Sequence, residues 1–185
     1  MVIMVRRARL IRALGGSHLG IAMKIIWLII AIISLTQVAT AQNKSPLRFK
    51  DYPAKVFKGK PAPAKISGSR ARLFRTVIRE GAKEGPNFAG HYTIVIWSVG
   101  LNLMQLAIVD ALNGKVYFPS QLLQIVVPFN LSELDTEYSL DFQLNSRLLI
   151  VAGGRMGVGD DEEYGKFYYE WRNNQLRLIH AIKKK

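Results

Sequence analysis

Two histidines, His91 and His180, and a scatter of carboxylates are what the body of this 185-residue chain offers for acid-base chemistry. The third histidine lies in the N-terminal leader. There is no cysteine, which excludes a catalytic thiolate, a thiolate zinc site and any disulfide. His91 stands in "NFAGHYTIVIW", at the start of an alternating apolar run. A histidine there could act as a general base, with Asp110 or Glu170 to orient its ring and stabilise its charged form. The alternative is that Gly90-His91-Tyr92 ends a turn, with the imidazole bonded to a backbone carbonyl. No nucleophile or metal ligand stands at a defining distance from His91, so no catalytic residue and no metal site is assigned.

Other motifs are weaker still. "GGRMGVGDDEEYG", Gly153 to Gly165, has five glycines and four successive acids, Asp160 to Glu163. It lacks the Gly-Lys-Ser/Thr ending of a phosphate-binding loop and the ligand spacing of a calcium loop, and reads as a mobile, solvated hairpin tip. Arg70, Arg72, Arg75 and Arg79 form the polar face of one helix, a candidate anion-binding surface. The helix pairs, zinc modules and aromatic sheet motifs of nucleic-acid readers are absent, so nucleic acid is not expected as a partner. Phe167, Tyr169 and Trp171 share one strand face and are assigned to the core, with Tyr168, Glu170 and Arg172 pointing outward. Asn130-Leu131-Ser132 matches a glycosylation acceptor, and the bacterial-type leader argues against its use.

These residues need elements to place them. "SRARLFRTVIREGAKEG" brings Leu73, Phe74, Val77 and Ile78 to one face at helical spacing, with Ser69 as the expected N-cap. Beyond it the period changes to two. Asn113-Gly114, Asn145-Ser146 and Asn173-Asn174 read as tight hairpin turns, because asparagine tolerates positive φ. Each is flanked by strand-like runs, "LAIVDAL" and "KVYF", "LDFQL" and "RLLIVAG", "KFYYEWR" and "QLRLIHAI". With a further strand from Tyr92 to Val99, the expectation is an α+β domain: one amphipathic helix packed on a curved antiparallel sheet of about seven strands.

The N-terminal part carries different information. "MKIIWLIIAIISLTQVATAQ", Met23 to Gln42, has one lysine, an apolar core from Ile25 to Ser34 and small residues at Ala39 and Ala41. That is the layout of a secretory signal peptide, and the apolar core is about half of the roughly 20 residues that span a bilayer. The expectation is cleavage after Ala41, with residues 1–22 as an upstream extension or a start set too far upstream. The rival is an uncleaved, positively flanked anchor. Cleavage would leave 144 residues, with no stable membrane span, in the periplasm or secreted.

Five basic residues leave with the leader, so 21 basic residues then face 13 acidic ones, a net charge of +8. It is concentrated in residues 42–83, which hold 12 basic residues against Asp51 and Glu80. Residues 42–68, with four prolines, read as a basic extended arm, and residues 69–185 as the single α+β domain.

The run "GPNFAGHYTIVIW…AIVDALNGKVYF…NSRLLIVAG…YYEW", within Gly85 to Ile179, resembles a family of small exported bacterial proteins of uncharacterised activity. The resemblance implies export and a compact domain, and carries no catalytic residue. It also implies a paired-cysteine segment after the tryptophan, where this chain has Val99 and Leu103. A disulfide over so short a loop contributes roughly 2 kcal/mol. Burial of each apolar side chain contributes about 1.5–3 kcal/mol and would offset that loss. The resulting expectation is a non-enzymatic binding or accessory domain that contacts an anionic envelope polymer or a protein partner and needs no cofactor. The alternative is an envelope hydrolase using His91 with Asp110 or Glu170.

Overall fold

A computed structural model describes residues 47–134, 137, 139–157 and 162–184 of the chain. The leader, its cleavage site, the first residues of the arm and Asp160 and Asp161 of the glycine-rich loop lie outside the described residues.

The fold is a sheet-rich α+β arrangement built on one open antiparallel sheet. Its strands are β1 (Tyr92–Gly100), β2 (Leu103–Asp110), β3 (Val116–Tyr117), β4 (Gln124–Val126), β5 (Leu140–Phe142), β6 (Leu148–Met156), β7 (Glu163–Arg172) and β8 (Gln175–Lys183). The order is β1-β2-β4-β6-β7-β8, with β3 beside β2 and β5 beside β6. Seven of the eight are the expected strands. The unexpected β4 bridges two halves, pairing Leu103 and Met104 of β2 on one side and Gly154 to Met156 of β6 on the other.

The Asn-started turns differ from expectation. Only Asn173-Asn174 makes a tight hairpin, with φ of 53° and 60°. Asp110 and Lys115 close a longer turn around Asn113-Gly114, and Asn145-Ser146 lies in a wider loop where Phe142 pairs with Leu149. The two apolar strands are joined through Gly100 and Asn102 as the sequence suggests, with Asn102 at φ 58° turning β1 into β2.

The helix is also broken. It forms as α1 (Gly68–Leu73) and α2 (Arg75–Lys83), separated by Phe74 at φ −104°, ψ 21°. Ser69 lies inside α1; Ser67 is the N-cap, and its side chain makes no capping bond. The break turns Phe74 onto Trp97, with ring centroids 4.7 Å apart, and leaves Leu73 exposed rather than in the core. Ile78 is fully buried against the β1–β2 face formed with Val95, Ala107 and Val109. The Thr93 hydroxyl donates to Gly85 O at 2.8 Å, tying the end of α2 to the same strand.

The other face of β1 and β2 meets a second core. Ile94, Leu106, Ile125, Leu149, Phe167 and Leu176 belong to one buried cluster, so strands from both halves share it. This is why the first four residues of β1, Tyr92, Thr93, Ile94 and Val95, are all buried: each face has its own packing partner. Phe167, Tyr169 and Trp171 point inward as expected. Tyr168 departs from expectation: it is on the opposite face but buried, 5.5 Å from the His180 ring.

Residues 47–66 lie along this sheet and are bonded to its loops. Ala54 N–H donates to Asn145 O, Phe57 N–H to Gly90 O, Ala62 N–H to Ala111 O and Lys65 N–H to Gly114 O, at 2.7–2.8 Å. Gly90 (φ 87°) and Gly114 (φ 76°) permit this approach: a Cβ at either would stand 2.1 Å from an arm carbonyl, Lys55 O or Pro63 O. The glycine-rich segment is less of a tip than its composition suggests, since Gly153 and Gly154 belong to β6 and Glu163 to Gly165 to β7. Glu163 accepts from both Arg155 and Lys183, joining β6, β7 and β8.

Candidate functional site

His91 is positioned by a tight reversal. Phe88 and Tyr92 exchange backbone hydrogen bonds at 2.9 Å, and the residues between turn through positive φ at Ala89 and Gly90. The imidazole stacks on Tyr92 at 4.2 Å and places Nε2 3.8 Å from Asp110 Oδ1. The expected imidazole bond to a backbone carbonyl is not formed among the described residues. Instead the His91 main-chain carbonyl accepts from Ala111 N–H at 2.8 Å.

Asp110 is buried, and its oxygens already serve the following turn. Oδ1 accepts from Leu112 N–H at 2.9 Å, and Oδ2 from the Asn113 amide at 2.7 Å. Glu170, the other carboxylate considered for His91, pairs with Arg147 at 3.1 Å. The sequence therefore placed His91 beside one of its two candidate partners, at a separation beyond a direct hydrogen bond.

His91 does line a cleft of about 600 Å³, with Tyr92, Arg147, Trp171 and the hairpin corner 172–174. Tyr92 donates to the Asn174 side-chain oxygen at 2.6 Å. Burial raises the Tyr92 phenol above its ordinary value, against the lowering effect of the Trp171 indole. The geometry of that indole N–H falls short of a hydrogen bond. Among the described residues that line the cleft there is no serine, threonine or cysteine, and the groups it offers for proton transfer are the His91 imidazole and the Tyr92 phenol.

The arginine face divides in two. Arg70 is half-buried: it donates to Leu123 O at 3.3 Å, and its guanidinium lies 4.6 Å from the centre of the Phe118 ring. Burial lowers its pKa from the ordinary arginine value. This arginine joins α1 to the sheet and leaves the candidate contact surface. Arg72, Arg75 and Arg79 are exposed and, among the described residues, pair with no carboxylate. Arg75 donates to Arg72 O at 3.3 Å.

Arg79 also rims a groove of about 410 Å³ that was not legible in the sequence, because it forms only where the arm lies against α2. Pro61, Ala62, Ala64 and Ala82 give it apolar walls, and Lys60 and Lys83 add charge to its rim. Glu80 holds Lys83 at 2.8 Å, so Lys60 and Arg79 are the groove's cations with no carboxylate partner among the described residues. The sequence signal was the proline spacing in "KGKPAPAK", which produces a stiff segment with few backbone donors.

Among the described residues no group of three or more metal-ligating side chains converges, and no helix is long and apolar enough to cross a membrane. The apolar substitution expected at Val99 and Leu103 does not work by burial at both sites: Val99 is 38% exposed, while Leu103 is half-buried. No protein-family model, curated protein or solved structure matches this chain.

Proposed function

We propose that this protein is an exported, non-enzymatic binding or accessory domain, periplasmic or secreted, whose basic helix face contacts an anionic envelope polymer or an acidic protein surface. The observation that carries this reading is the set Arg72, Arg75 and Arg79, exposed and without carboxylate partners among the described residues, of which Arg79 adjoins the groove rimmed by Lys60. Exposed cations carried on two short successive helices attract a polyanion. The leader-like sequence and the resemblance to small exported proteins support the location.

The test is retention on an immobilised polyuronate. Retention is expected to fall as salt rises toward physiological strength, where screening acts over about 8 Å. It is also expected to fall when Arg72, Arg75 and Arg79 are all replaced by glutamine, with Arg70 left in place. Salt-independent retention, or equal retention by the triple variant, refutes the reading.

The hydrolase reading has one observation in its favour, the His91–Asp110 approach at the margin of a cleft. His91→Ala separates the two readings. A variant that melts like the parent but loses an envelope phenotype supports chemistry at His91, whereas unchanged function removes its only base.

A further inference from the structure

The β7–β8 corner, Asn173-Asn174, has a hollow on either side. One is the cleft that His91 lines; the other is a pocket of about 300 Å³ whose walls include Tyr117, Ser120, Gln121 and Gln175. Trp171 and Asn174 line both. Each volume lies within the range of small-molecule sites.

The smaller pocket is polar but uncharged. Its hydrogen-bonding side chains are hydroxyls, amides and the Trp171 indole, and no carboxylate, ammonium or guanidinium lines it. Asn174 accepts from the Tyr92 hydroxyl at 2.6 Å, which leaves its own NH2 group to donate elsewhere. Trp171 is the sharper case. It is 3% exposed, and its indole N–H has no acceptor among the described residues. An unmet buried donor is costly. The N–H lies beside the Tyr92 hydroxyl without hydrogen-bond geometry, and Tyr92 is a wall of the His91 cleft. The Tyr92 and Tyr117 rings stand edge-on to the indole at 5.2 and 5.7 Å and hold it between the two hollows.

We propose that this corner binds a short glycan, with one neutral sugar unit in the pocket beside Tyr117 and the next unit in the His91 cleft. Amides and hydroxyls that both donate and accept match the neighbouring hydroxyls of a sugar. Aromatic edges give its C–H surface an apolar contact. A phosphate would find no cation in the pocket, and in the cleft Arg147 is already paired with Glu170 and His91 stands by Asp110. Arg172 is exposed and has no carboxylate partner among the described residues, so the second unit can carry an acidic group. None of Arg72, Arg75 and Arg79 lines either hollow, so the glycan site does not rest on the helix face invoked above.

The chain, purified as the cell processes it and labelled with 15N, is titrated with cellotriose, with chitotriose and, as a peptide comparison, with trialanine, while the indole N–H signals are followed by NMR. Trp171→Phe assigns the Trp171 signal. Trp97, whose indole N–H is also buried without an acceptor among the described residues, is the internal control. At least one trisaccharide is expected to move the Trp171 signal, to leave that of Trp97 in place and to bind about fivefold more weakly to Asn174→Gly, the loss of roughly one hydrogen bond. Glycine suits the left-handed turn at that position, where φ is 60°, so the variant keeps the hairpin. A circular-dichroism melt checks this, and Gln175→Ala, at an exposed position, makes the same comparison a second time. No movement of the Trp171 signal with either trisaccharide overturns the proposal. So does equal affinity in parent and both variants, or an equal response to trialanine. The triple glutamine variant of the helix face should bind the trisaccharide as the parent does; loss of binding there would mean that the corner is not the site. Polyuronate retention without any trisaccharide response overturns the glycan site and leaves the polymer reading standing.

Discussion

Replacing Gly90 with alanine tests whether the arm is an integral part of the fold that presents His91. Two costs are separable. Alanine at φ 87° pays about 1–2 kcal/mol for a left-handed backbone. Its Cβ would also stand 2.1 Å from Lys55 O, a contact relieved only by lifting the arm. Lifting it loses the Phe57 N–H bond to Gly90 O, a net of about 1 kcal/mol. The sum is about 2–3 kcal/mol. Gly68→Ala is the internal control, since Gly68 has φ 81° and nothing within 4 Å of the added carbon. With about 4 °C lost per kcal/mol in a domain of this size, Gly90→Ala should melt about 8–12 °C below the parent and Gly68→Ala about 4–8 °C. Limited trypsin digestion provides a second readout: the bonds after Lys55 and Lys58 should be cut faster in Gly90→Ala alone. If Gly90→Ala melts no lower than Gly68→Ala and resists trypsin equally, the close approach of the arm is wrong.

Asp110→Ala removes two acceptors from the turn after β2 and should lower stability by about 2 kcal/mol, whereas Asp110→Asn, which keeps one oxygen for Leu112 N–H, should cost less than half of that in a denaturant titration. Equal effects would mean that the charge beside His91, not the turn, is what Asp110 supplies. Lys183, followed by Arg155, holds Glu163 below its ordinary value of 4.5, so this contribution is present above that pH and disappears as pH falls through the lowered folded value. Glu163→Gln should therefore lower Tm at neutral pH, with the difference vanishing well below the carboxylate range. Asp141 has the opposite sign: burial raises its pKa, so Asp141→Asn should stabilise the protein at neutral pH and lose that advantage on acidification.

Alternation revealed the long strands because it reports which side chains enter the core. It failed at β4 because Gln124 to Val126 sits in "LLQIVVP", an apolar stretch interrupted once by Gln124 and closed by Pro128, which offers no period. The break at Phe74 was invisible for the opposite reason: a helical period runs straight through it, and the packing of Phe74 on the Trp97 ring is a long-range contact that the local sequence does not carry. His91 and Asp110 were brought together as anticipated, since register pairs Tyr92 with Asp110. Their working separation depends on the Asn113 amide and the Leu112 N–H, whose claim on Asp110 no spacing rule encodes. The groove beside Arg79 required knowing that the arm lies on α2, a contact between segments whose own compositions say nothing of each other.

The three residues of β4 are the sheet's hydrogen-bonded link between β1–β2 and β6–β7–β8, and each half consists mainly of strands adjacent in sequence. Either half can gather its ladder from nearby chain with short loop closures, which is fast. The shared core, with Ile125 seated between the halves, is expected to close last. Folding on this topology should then show two quick local phases and one slower docking, with β4 as the segment at which the halves meet.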